Sequence, residues 1–133
     1  MTRVLLDSTV VIDLLRRRPD AVERLRTLQL AGDEPYACAI TAEEVTRGLR
    51  SREREAAGAL FEGLHTAPLG VAEGRLAGWW RARYAARGRT LSQADALVAA
   101  AAVGVGATLA TGNPKDFPMK GKGLEVDHWP TGA

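Results

Sequence analysis

Three observations in this 133-residue chain predict a three-layer α/β/α sandwich around a mostly parallel sheet of four or five strands. Short apolar runs without polar alternation, such as residues 4–6 and 107–110, suit strands buried on both faces. These runs alternate with segments of helical periodicity, the order that builds parallel sheets through crossover helices. Carboxylate and hydroxyl residues follow directly after the apolar runs, at the edge where open α/β sheets hold ligands.

The first strand covers residues 4–6, and Asp7 follows at once. Ser8 or Thr9 then caps the helix implied by Val10, Val11, Leu14 and Leu15. Pro19 restarts a helical pattern through Val22, Leu25, Leu28 and Leu30, ending near Gly32, and residues 32–35 read as a loop. A second strand is expected over residues 36–40. Thr41-Ala42-Glu43-Glu44 opens the next helix, through Val45 and Leu49, with the Thr-x-x-Glu spacing of a capping box. Residues 56–64 continue helically, and a third strand falls on residues 65–69.

Gly70 leads into a helix over residues 71–86, with Leu76, Trp79, Trp80 and Tyr84 at helical spacing. Adjacent tryptophans face different ways, so one packs in the core and the other is available for a partner. Gly88-Arg89-Thr90 breaks this helix. An alanine-rich helix from Leu91 through Val103 follows, its small side chains suited to close packing on a sheet. Residues 107–110 form the fourth strand, 111–118 a loop, and 124–126 a fifth strand.

Composition bounds the answer. The length suits one domain, residues 1–133, and 46% apolar with 26% charged residues is a globular rather than a disordered balance. No apolar run approaches a membrane span, and Asp7 and Asp13 interrupt the N-terminal stretch as no signal peptide would allow. Cys38 has no second cysteine to pair with, so the expected setting is a reducing cytoplasm and the expected role a core thiol. His65 and His128 fall in no recognisable constellation. Net charge is +2, with arginines at 16–18, at 47, 50, 52 and 54, and at 81, 83, 87 and 89. Such strips suit phosphate, since a guanidinium bonds two oxygens at once. Charge alone favours the plainer reading, solvated helix faces partly paired with Glu53 and Glu55.

A parallel sheet gathers its strand C-termini on one edge, so Asp7, residues 41–44 and residues 111–116 share a rim; Asp95 joins them if its helix starts on that side. Several carboxylates at one rim repel unless a cation neutralises them. Mg2+ and Mn2+ take such oxygen ligands, lower the pKa of a bound water and stabilise charge on a phosphoryl oxygen. Each acid has a structural reading as well. Asp7 can support a helix start, and Glu44 and Asp95 lie three residues after Thr41 and Ser92 as in capping boxes. Asp13 reads as a helix-surface acid, and Glu43 points about 100° away from Glu44 around the helix.

Four stretches together resemble a PIN domain: Leu5-Leu6-Asp7-Ser8-Thr9; Ile40-Thr41-x-x-Glu44-Val45-x-x-Gly48; Ser92-x-x-Asp95-x-Leu97-Val98-Ala99-Ala100; and Leu109-x-Thr111-x-Asn113-x-x-Asp116-Phe117. The resemblance extends over nearly the whole chain, and in length the chain is similar to VapC toxins of toxin–antitoxin pairs. It implies a Mg2+- or Mn2+-dependent endoribonuclease that cuts structured RNA, tRNA or rRNA, by a metal-activated water, with metal at Asp7, Glu44 and Asp95. A further acid is implied in the loop after the fourth strand. Asn113 occupies one candidate position there and Asp116 is the nearby carboxylate, so both are kept, and Thr111 matches the family's hydroxyl residue near the acids. A homodimer and neutralisation by a VapB-type antitoxin are also implied. Two competing readings are an inactive PIN-like RNA-binding or scaffold domain, and a phosphoaspartyl protein. The second is disfavoured because Thr9 stands where a second aspartate is needed.

Overall fold

The computed structural model describes residues 1–131. Its frame is a five-stranded sheet in the order β3-β2-β1-β4-β5, with every pairing parallel. The strands are β1 (Arg3–Leu6), β2 (Glu34–Ala37), β3 (His65–Thr66), β4 (Thr108–Thr111) and β5 (Val126–His128). Six helices accompany them: α1 (Ser8–Leu15), α2 (Pro19–Leu30), α3 (Ala39–Arg47), α4 (Arg54–Glu62), α5 (Val71–Ala85) and α6 (Gln93–Gly104).

Alternation along the strands divides the core in two. Leu5 and Leu109 point to one face and pack with α5 and α6. Val4, Leu6 and Ala110 point to the other, against Val10, Val11 and Leu14 of α1 and Leu28 of α2. This is the α/β/α sandwich that the sequence predicts. Helix α6 lies between α5 and the sheet, with Ala96, Val98, Ala99, Ala100, Ala101 and Ala102 all buried. A helix covered on two sides needs no polar face at those positions, and alanine lets both neighbours come close. The two tryptophans divide as expected: Trp80 is buried with Tyr84 one turn on, whereas Trp79 is 71% exposed.

Several local expectations are corrected. The second strand begins two residues early, at Glu34, because the chain turns helical immediately after Cys38, whose extended backbone forms the N-cap of α3. Pro35 is tolerated in β2 because it lies beyond short β3, whose pairing starts at Tyr36–His65. Thr41 therefore lies inside α3, fully buried, and makes no capping box with Glu44. Neither Ser8 nor Thr9 caps α1; Asp7 does, its carboxylate accepting from the Ser8 N–H. The third strand is two residues long, and the fifth is displaced to Val126–His128. Asp13 is not a surface acid: it is buried, with Arg18 Nε 4.0 Å from its carboxylate.

Candidate active site

Asp7 is the first residue beyond β1, and its backbone N–H still donates to the carbonyl of Ala110 in the neighbouring strand. That bond fixes the side chain at the rim between the two central strands. Its carboxylate is 6% exposed and held from two sides: Oδ1 accepts from the Ser8 N–H at 2.8 Å, and Oδ2 from the Thr111 hydroxyl at 2.7 Å. Thr111 Oγ1 in turn accepts from the Asn113 N–H at 3.0 Å. Thr9 Oγ1 accepts from the Gly112 N–H, tying the start of α1 to the loop after β4.

Three further carboxylates reach this rim. Glu44 comes from the middle of α3. Asp95 comes from the first turn of α6, whose N-terminus is capped by the Ser92 hydroxyl accepting from the Asp95 N–H. The condition set for Asp95 is thus met, for α6 starts on the acid side. Its far end, Gly104, packs against Glu73 near the start of antiparallel α5. Asp116 sits on a 3-10 turn over Pro114–Asp116, anchored by buried Phe117 and Met119 and by Arg89, which donates to the Lys115 carbonyl at 2.6 Å.

The acids feel one another. Burial raises the Asp7 pKa most, the Asp116 charge adds to it, and hydrogen bonds from Thr111, Ser8 and Thr9 oppose it. Burial also raises Glu44, with the charges of Asp7 and Asp95 in the same direction and a Ser8 hydrogen bond against them. Asp95 is raised by burial and by Asp7 and Asp116, with Ser92 opposing. Each of these charges disfavours the ionised form of its neighbours. The fourth carboxylate that Asp7 and Asp95 feel is Asp116. Asn113 contributes its backbone N–H to Thr111, and its side chain is exposed.

The donor chemistry fits a hard divalent ion. Among the described residues no three His, Cys, Asp or Glu side chains are grouped tightly enough to ligate one ion by themselves. Mg2+ suits the looser arrangement, because it keeps several waters and typically takes only one or two carboxylates directly.

Other residues stand apart. Glu43 faces solvent and pairs with Arg47 through two hydrogen bonds, 2.9 and 3.1 Å. Cys38 is a buried thiol 3.8 Å from Thr41 Oγ1. His65 stacks near Tyr36 and lies 3.4 Å from Glu34, on the second and third strands. In the sequence Ser8 reads only as a cap; its lowering effect on the Glu44 pKa comes from the approach of α1 to α3, which no local spacing reveals.

The chain belongs to the PIN-domain family, whose model matches residues 4–121. Within the family its similarity is to the VapC type. Ribonuclease VapC19 of Mycobacterium tuberculosis is 33% identical over 115 residues, which span 86% of this chain and 92% of that protein. Among solved structures, VapBC-1 from nontypeable Haemophilus influenzae superposes with a TM-score of 0.80 at 25% identity, covering 96% of this chain and 98% of that one. DNA-bound VapBC from Salmonella typhimurium superposes at 0.82 and 19% identity, over 97% and 99% of the two chains, and shares the fold.

Proposed function

We propose that this chain is a VapC-type endoribonuclease that hydrolyses structured RNA, tRNA or rRNA, with Mg2+ or Mn2+ held by Asp7, Glu44, Asp95 and Asp116, directly or through its bound waters. The observation that carries this reading is the clustering of these acids, with Asp7, Glu44 and Asp95 all pushed upward by burial and by neighbouring negative charge. The name of the relative VapC19, a ribonuclease, supports the choice of substrate. VapBC complexes among the structural neighbours support a VapB-type antitoxin as partner, and the family resemblance supports a homodimer. The setting proposed is the cytoplasm; no helix among the described residues is long and apolar enough to cross a membrane.

The residues divide the work. Thr111 and the Ser8 N–H fix both oxygens of Asp7, and each oxygen keeps a further lone pair for a ligand. The Ser8 side chain steadies Glu44. Asn113 holds the Thr111 hydroxyl in its donating orientation through its backbone N–H and leaves its side chain toward solvent for substrate or water. A divalent ion bound at these acids would supply a water of lowered pKa and offset charge on the phosphoryl oxygens. With water rather than the ribose 2′-oxygen as nucleophile, the products carry 3′-hydroxyl and 5′-phosphate ends.

The test is end mapping of RNA after exposure to purified protein in Mn2+, beside Asp7→Asn and an EDTA control. Cuts with 5′-phosphate ends that vanish in both controls support the proposal. Cyclic 2′,3′-phosphate ends, or cutting in excess EDTA, refute the mechanism. RNA binding without any cutting in Mn2+ returns the chain to a binding module.

A further inference from the structure

We propose that the groove between the C-terminal end of α1, α3 and the turn at Ser51–Glu53 is the track that carries the RNA strand to the acids, gripping its phosphates through Arg16, Arg50 and Arg52. The inference rests on the ribonuclease reading above and specifies the path of its substrate.

The groove has a volume of about 620 Å3 and shares Glu44, one of the four acids, with the cluster. Its other charged lining is Arg16, Arg18, Arg50, Arg52 and Glu53, which gives four guanidinium groups against two carboxylates. Neither carboxylate pairs with Arg16, Arg50 or Arg52 through its side chain among the described residues. Glu44 belongs to the cluster, and Glu53 accepts from the Arg50 backbone N–H at 2.9 Å. Arg18 is set aside because it lies beside Asp13.

Charge on the opposite flank is arranged differently. There Arg81 donates to the Leu91 carbonyl, Arg89 to the Lys115 carbonyl, and Lys122 lies over the Tyr84 ring. Those cations brace backbone and ring, whereas Arg16, Arg50 and Arg52 are exposed and, among the described residues, make no comparable side-chain bond. A phosphodiester chain is a polyanion that several cations in one groove can hold at once, and each guanidinium can take two phosphate oxygens. Positive charge leading to a negative centre also reconciles an anionic substrate with a carboxylate site: the grip lies beside the chemistry rather than on it.

The experiment measures binding of a fluorescein-labelled oligouridylate to the Asp7→Asn protein as salt is varied, so that no cutting intervenes. In that background Arg16→Ala/Arg50→Ala/Arg52→Ala should weaken binding roughly tenfold to a hundredfold near physiological salt and flatten the log–log salt slope by about two, from three lost phosphate contacts on a single strand. The control Arg26→Ala/Arg75→Ala/Arg83→Ala removes equal charge from exposed positions elsewhere and should leave the slope within error. Thermal melts confirm that both triple variants fold; if the first does not, single substitutions should each flatten the slope by about 0.7. Equal slopes for the two triple variants overturn the track and leave the groove to a protein ligand. Because binding is read without cleavage, wild-type protein that grips RNA along the groove but cuts none fails the catalytic proposal while the track stands.

Discussion

The two ends of α1 each bury an aspartate, and their surroundings are opposite. At the N-terminal end Asp7 is 6% exposed and its charged neighbours are other acids. At the C-terminal end Asp13 is 4% exposed and faces the guanidinium of Arg18. There the helix closes with Arg17 in the left-handed region, φ 54°, so that the Arg18 N–H reaches back to the Asp13 carbonyl. Burial is therefore no guide to which acid does chemistry. The sign of the neighbouring charge separates them: one acid has a cation from the fold beside it, and the other has only further acids.

The sharpest way to break this comparison is to neutralise each acid in turn. Asp7→Asn should reduce RNA cleavage by about a thousandfold or more, since a site that loses a metal-holding carboxylate loses the ion's chemistry. Initial cleavage rates in saturating Mn2+ check this. Asp13→Ala should leave cleavage per folded molecule within about twofold and cost about 1–3 kcal/mol of stability, between the values for exposed and fully buried pairs because Arg18 is partly solvated. Urea unfolding measures that loss, and a large fall in specific activity at unchanged stability would erase the distinction.

A metal titration follows. Mn2+ should raise the melting temperature of the wild-type protein in proportion to the logarithm of its concentration, and the rise should shrink or disappear in Asp7→Asn. Proton linkage gives the same contrast without metal. Asp7, Glu44 and Asp95 are raised, so the folded state holds their protons to higher pH than the unfolded chain does. Stability therefore falls as pH rises from the ordinary carboxylate range through the raised values, and the penalty persists at neutral pH. In EDTA at neutral pH, Asp7→Asn should melt no lower than wild type and up to a few degrees higher, because asparagine still caps α1 and one repelling charge is gone. A marked drop in melting temperature would make Asp7 a structural acid like Asp13. The smallest effect belongs to the helix end: Arg17→Gly should add about 0.5–1 kcal/mol by relieving the left-handed strain, with cleavage unaltered.

Much of this was legible in the chain. Residues 4–6 and 107–110 announced buried strands because both faces of a parallel sheet are covered, and their apolar character survives any detail of packing. The capping signal at Ser92 was also readable, since it needs only residues three apart. The same reasoning misplaced Thr41, for a threonine inside the first turn of a helix and one just before it look alike in sequence; burial beside Cys38 decided between them. It misplaced Asp13 for a related reason: a polar residue reads as solvent-facing until the helix end folds an arginine over it.

Sequence by itself determined the kinds of element and their order, and with them the single edge to which the strands deliver their trailing residues. Those are consequences of side-chain periodicity and chain direction, which act locally. Only the tertiary structure decided which acids feel one another, that Asp116 presses on Asp7 and Asp95, and that Ser8 serves Glu44. Electrostatic repulsion and hydrogen bonding depend on distances of a few ångströms between residues tens of positions apart, and those distances come into being only when the layers pack.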